Sequence, residues 1–190
     1  MAKVFDGIDD KLAAWIGRQR MFFVGTAPSG DGGHVNVSPK GPIESLRILD
    51  PHTVAYQDVI GSGAETIAHL RDNGRIVLMF CAFEGPPKIV RLHGHGRAVL
   101  VGDPEFDQLR WAFDKDRTLG QRSIIVADLT RISDSCGYSL PLMDFRADRD
   151  VLDKDQSRRD EDYFPRYWRE KNAESIDGLP GLPIESATAG

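Results

Sequence analysis

The chain has 190 residues, 41% hydrophobic and 28% charged, with 29 Asp and Glu against 24 Lys and Arg and a formal net charge of −5. A chain of this length buries a core without staples, and its acidic balance excludes the broadly basic surface of a general nucleic-acid binder. Two cysteines, Cys81 and Cys136, are too few and too far apart for a disulfide framework or a zinc site, and Cys81 reads as a core thiol.

The N-terminus lacks a basic start followed by an apolar stretch, so no signal or transit peptide is expected. The longest apolar run, residues 76–83, has eight residues, against the ~20 that cross a bilayer. The expectation is a soluble, cytoplasmic protein with no membrane partner.

Over residues 6–19, Ile8, Leu12, Trp15 and Ile16 are spaced for an amphipathic helix, with Asp9 and Asp10 in its first turn. Residues 21–27 and 34–38 flank a glycine-rich turn and predict a hairpin, with the pairing ending at Pro39. Residues 53–57 predict a strand, and Gly61-Ser-Gly then opens a helix that stops at Asn73-Gly74. The apolar run 75–83 reads as a strand buried on both faces, and 89–101 as a long strand pairing back on it. Asp103-Pro starts a further helix, and 123–133 is the last strong strand. About six strands joined by hairpins, with no βαβ alternation, predict a mainly β fold: an antiparallel sheet or barrel with added helices.

Residues 146–162 carry 12 charges in 17 positions and read as a solvated connector, followed by the aromatic run Tyr163-Phe-Pro-Arg-Tyr-Trp. So dense an aromatic run needs a surface to pack on. The expected division is a domain over 1–145 and a connector with aromatic extension over 146–190, packing on the barrel or on a second subunit. Gly178-Leu-Pro-Gly-Leu-Pro reads as an extended, fraying end.

Three constellations are suited to chemistry. In the first, a strand leads through Gly61-Ser-Gly into a helix whose free N–H groups suit an anion, although Ser62 and Glu65 have the spacing of a capping box that needs no ligand. In the second, His34, Asn36 and Ser38 share one strand face and Lys40 follows. In the third, Arg91, His93, His95 and Arg97 form a basic stripe if the strand stays regular through Gly94 and Gly96. No nucleophile elbow, zinc-protease motif or Walker sequence is present, so a bound cofactor would do the chemistry.

The order of these pieces resembles the pyridoxamine 5'-phosphate oxidase-like flavoproteins, the FMN-binding split-barrel group. It is carried by Phe22-Phe23-Val24-Gly25-Thr26, Val35-Asn-Val-Ser-Pro-Lys-Gly, Tyr56-Gln-Asp, Gly61-Ser-Gly-Ala-Glu-Thr and Arg91-Leu-His-Gly. The resemblance implies a six-stranded antiparallel split barrel that forms a homodimer, with FMN at the subunit interface. It implies that Asn36, Val37 and Ser38 run beside the flavin ring, with Lys40 near its N1/O2 edge or its phosphate. Tyr56, Gln57 and Asp58 would continue along the cofactor, Ser62 and Thr66 would lie at the phosphate, and Arg91 and His93 would reach the phosphate or the other subunit. The oxidase's Arg-Leu-x-Pro signature is absent, and Ala64-Glu65-Thr66 replaces its basic cluster. The implied activity is therefore an FMN-dependent oxidoreductase of unspecified small-molecule substrate, reduced by NAD(P)H or by the substrate itself. Two alternatives stay open: a flavin-binding or stress-related module without efficient turnover, and a split barrel that takes another flavin such as coenzyme F420.

Overall fold

A computed structural model describes residues 3–113, 120–160 and 162–183. Its elements run β1 (Val4–Phe5), α1 (Asp10–Ile16), β2 (Phe22–Thr26), β3 (Asn36–Lys40), β4 (Leu46–Asp50), β5 (Thr53–Val59), α2 (Glu65–Asp72), β6 (Arg75–Cys81), β7 (Ile89–Leu100), α3 (Pro104–Arg110), β8 (Gln121–Ser135), α4 (Val151–Gln156) and α5 (Tyr163–Lys171). All eight strands join one antiparallel sheet in the order β3-β2-β6-β7-β8-β5-β4, with β1 on β8. The sheet is mainly β and split-barrel-like as expected, but it is not closed. The two strands beyond the expected six are β1, only two residues long, and β4, whose Leu46-Arg-Ile-Leu-Asp alternates too briefly to stand out.

Period-two alternation sets the core. Phe22 and Val24 of β2, Ile76, Leu78 and Phe80 of β6, and Val90 and Leu92 of β7 are buried on one face. Phe22 meets the Tyr56 ring edge-on at 5.5 Å and stacks on Phe80 at 5.7 Å. Val77 and Met79, on the other face of β6, are only half-buried, so this strand is not buried on both sides. Asp9 caps α1, its carboxylate accepting the Leu12 N–H at 2.7 Å, and Leu12 and Ile16 pack on the core. On the opposite face, α3 lays Phe106 over Val99, Ile124 and Val126.

The bulge anticipated in β7 lies instead in β8. His93 pairs with Arg131 and Gly94 with Leu129, so Thr130 is the extra residue. Gly94 is required at that point because a Cβ there would strike the Asp128 carbonyl. β3 continues through Pro39 to Lys40, which pairs with Phe22, and does not end at the proline. As an edge strand it admits a proline whose missing N–H would face solvent.

Among its described residues the charged connector is mostly exposed, with Gln156 buried, and includes α4, with ion pairs Lys154–Asp150 at 2.5 Å and Arg159–Asp155 at 2.6 Å. The aromatic run forms α5, which buries Phe164 and packs Trp168 on the main core. The segment expected to fray is pinned: Leu182 is buried in that core, Arg71 Nη1 donates to the Gly181 carbonyl at 2.6 Å, and Glu174 bridges Pro180. Among the described residues, no helix is long and apolar enough to cross a membrane.

Candidate functional site

Between β3, β5 and the loop leading into α2 lies a cleft of about 630 Å³. Beneath its floor sits Asp58, 1% exposed. Lys40 Nζ donates to Asp58 Oδ1 at 3.1 Å, while Arg122 Nε and Ser123 Oγ donate to Oδ2 at 2.6 and 3.2 Å. Burial alone would raise this carboxyl's pKa, but the Lys40 and Arg122 cations outweigh it and hold the pKa below the ordinary carboxylate value. Two cations around one anion leave the cluster with a surplus positive charge. Lys40 and Arg122 also line the cleft, and Lys40 Nζ lies 5.7 Å from the centre of the Tyr56 ring.

Along β3, alternation turns Asn36, Ser38 and Lys40 inward and leaves Val37 64% exposed on the outer side. Asn36 is fixed by its neighbours: its Nδ2 donates to Thr26 Oγ1 and to Thr66 Oγ1, each at 3.1 Å. Its Oδ1 must then accept the Ser38 hydroxyl, at 3.0 Å. Ser38 has thereby given away its proton and offers the cleft an acceptor only. Behind this chain, Thr26 Oγ1 and His69 Nδ1 are 3.0 Å apart. Burial lowers the His69 pKa, against the opposing influence of Asp177, Glu65 and Asp72, so the ring is held neutral.

The capping box does not form. Ala64 takes the N-cap of α2 without a side-chain bond, and Glu65 is the first helical residue. Its carboxylate folds back against Gly63 and accepts the Ile176 N–H at 3.4 Å. A side chain of the protein therefore supplies the anion at this helix start, and the tail contributes Ile176 to the cleft wall.

Of the residues singled out from sequence, Ser38, Lys40, Gln57, Ser62 and Thr66 line the cleft together. Asn36 sits behind Ser38 as its orienting partner. Tyr56 and Asp58 are buried beneath the floor, and burial drives the Tyr56 hydroxyl pKa well above its ordinary value, with Asp58 adding to the effect. Val37 points its side chain away from the cleft. Arg91 and His93 lie outside it: they stand nine and seven positions before Leu100, the end of β7 paired with Ser123, which is about 30 and 23 Å of strand. The basic stripe stays on one face but does not converge. Arg91 bonds Ser135 and Arg97 bonds Glu105, while burial and the neighbouring Arg91 and Arg131 lower the His93 pKa. His34 lies before the strand and pairs with Asp177 of the tail at 2.6 Å. Sequence reasoning missed Arg122, whose one signal was the polar trio Gln121-Arg-Ser directly ahead of the apolar run Ile124-Ile-Val-Ala.

Residues 8–136 match the family profile of pyridoxamine 5'-phosphate oxidase. A protein of Aspergillus flavus described as pyridoxamine 5'-phosphate oxidase family protein ustO is 37% identical over 94% of this chain and 77% of its own length. Two crystal structures of HupZ from Group A Streptococcus share the fold at 22% identity. One of them, a histidine-to-alanine variant of that protein, has a TM-score of 0.55 over 67% of this chain and 99% of the HupZ chain, and the other has 0.53 over 66% and 91%.

Proposed function

The chain belongs to the pyridoxamine 5'-phosphate oxidase family, and on that premise we propose that the cleft beside β3 binds FMN and that the protein is a flavin-dependent oxidoreductase. Its substrate would be a small molecule, with NAD(P)H a further electron donor, and the working form a homodimer with the flavin at the subunit interface. The observation that carries this reading is the commitment of the Ser38 proton to Asn36. An acceptor-only hydroxyl beside an ammonium matches the imide edge of a flavin ring, where an N–H adjoins a carbonyl.

The residues present fit the group. Ser38 would accept from the imide N–H, and Lys40 would donate to the neighbouring carbonyl oxygen. The Ser62 and Thr66 hydroxyls and the Arg122 guanidinium line the same cleft and would meet the phosphate. The bound flavin supplies hydride and electron transfer. The protein's part is to orient and to tune. Asn36 keeps Ser38 an acceptor, and Asp58 holds both cations at the floor, so that Lys40 stands ready for the ring's polar edge and Arg122 for the phosphate. His69, neutral behind Thr26, keeps the Asn36 support in place.

Purified protein titrated with FMN should take on flavin absorbance that a reductant bleaches, and the holoprotein should oxidise NADH or NADPH. A protein that takes up no FMN overturns the cofactor assignment, and a holoprotein that oxidises neither nucleotide nor pyridoxamine phosphate favours a binding module. Light scattering during gel filtration should give twice the chain mass, and a monomer overturns the dimer.

A further inference from the structure

A second cleft, of about 440 Å³, lies between the C-terminal extension and the end of β7. It meets the first at Arg122, which lines both. This guanidinium is 6% exposed. Its Nε donates to Asp58 at 2.6 Å and its Nη1 to the Gly63 carbonyl at 2.8 Å, while Nη2 has no hydrogen-bond partner among the described residues. A buried cation with a free donor, set at the junction of two clefts, is placed to hold an anionic group that reaches both.

The rest of the second cleft says what that group would be attached to. Pro165 and Trp168 of α5, with Pro183, provide flat apolar surface, and the exposed Arg169 adds a second guanidinium. Asp103 lines the same cleft; its Oδ2 accepts the Leu100 N–H at 2.7 Å, while its other oxygen has no hydrogen bond among the described residues. Aromatic and proline surface suits a base, paired guanidinium groups suit a phosphate, and a carboxylate acceptor suits ribose hydroxyls.

We propose that the second cleft binds a nucleoside 5'-phosphate of the adenylate type, its phosphate between Arg122 and Arg169, its base against Trp168, and its ribose at Asp103. A flavin in the first cleft does not require this site. Two molecules carry the group: a flavin dinucleotide whose flavin half fills the first cleft, and a nicotinamide dinucleotide that docks by its adenylate end.

Calorimetric titration of the full chain with AMP tests the site, with adenosine and inorganic phosphate as controls. The expected result is saturable AMP binding, at least about tenfold tighter than adenosine, because a phosphate held by guanidinium groups adds charge-assisted hydrogen bonds. Arg169→Glu, at an exposed position, should weaken AMP by about tenfold or more and leave riboflavin binding unchanged. Trp168→Phe should remove the tryptophan fluorescence change that AMP causes, with Trp15 and Trp111 still present. No AMP binding, adenosine equal to AMP, or an indifferent Arg169→Glu overturns the proposal. A preference for FAD over FMN that Arg169→Glu abolishes identifies the flavin dinucleotide; equal FAD and FMN affinity with displacement of AMP by NADPH identifies the nicotinamide one. Loss of riboflavin binding alone would sink the flavin assignment without touching the AMP result.

Discussion

Asp58→Asn keeps the volume of the side chain and removes its charge. In the native fold the carboxylate holds two cations, Lys40 at 3.1 Å and Arg122 at 2.6 Å, and all but 1% of the residue is out of water. After the substitution those cations face each other across a neutral amide. Breaking one side of a buried ion pair costs about 3–5 kcal/mol because the remaining charge stays desolvated. For a chain of this size each kcal/mol moves Tm by roughly 2–4 °C, so melting followed by circular dichroism should fall by roughly 6–20 °C. Lys40→Met should cost less, since the Lys40 side chain is 21% exposed while that of Arg122 is 6% exposed. Combining Asp58→Leu with Arg122→Met removes charge and countercharge together, and should be less destabilising than the two single changes summed, by about 0.5–3 kcal/mol. A Tm drop under about 2 °C for Asp58→Asn, or strict additivity in the double variant, would refute the keystone role of this carboxylate.

Other outcomes follow from the same geometry. Glu65→Gln removes the internal anion beside Gly63 and should tighten FMN by several-fold while leaving riboflavin unchanged; equal effects on both ligands would show that the carboxylate does not face the phosphate. Ser38→Ala should weaken FMN by about 0.5–1.5 kcal/mol in a fluorescence titration, the worth of one hydrogen bond. Gly94→Ala would drive a methyl into the Asp128 carbonyl and should cost about 1–3 kcal/mol in urea unfolding. Stability should fall in two separable steps on acidification. The folded His69 resists protonation, so below about pH 6.5 the unfolded chain takes up more protons and stability declines, a slope that His69→Gln should flatten. The depressed Asp58 contributes stability that is present above the ordinary carboxylate pKa and lost as pH falls through its lower folded value, and Asp58→Asn should lack that limb.

The part of the site on β3 was legible because strand alternation is local: Asn36 and Ser38 had to share a face once the strand existed, and Lys40 joins them because β3 runs on through Pro39. The partners that give those residues their chemistry were not legible. Arg122 reaches Asp58 across 64 positions, and one arginine at the head of a strand does not announce which carboxylate it will meet. The helix after Gly61 was visible, but the capping-box pattern failed because α2 begins at Glu65, which turns the glutamate from a cap partner into an anion folded over Gly63. The basic stripe on β7 had the right periodicity but lies outside this cleft, since spacing within a strand says nothing about which end of a 12-residue strand borders it. The pinning of Leu182 in the core left no trace in the Gly-Leu-Pro repeat that suggested fraying.

β3 is at once the strand of recognition and a free margin of the open sheet. A margin that also carries Val35 and Val37, 72% and 64% exposed, is the kind of surface on which a foreign strand adds and aggregation begins. Pro39 sits between Ser38 and Lys40 and leaves a gap in the row of donors such a strand would need. Side-chain chemistry on the inner face is thereby separated from promiscuous backbone pairing along the rim: the strand reads a ligand through what points inward and refuses another chain through what it lacks outward.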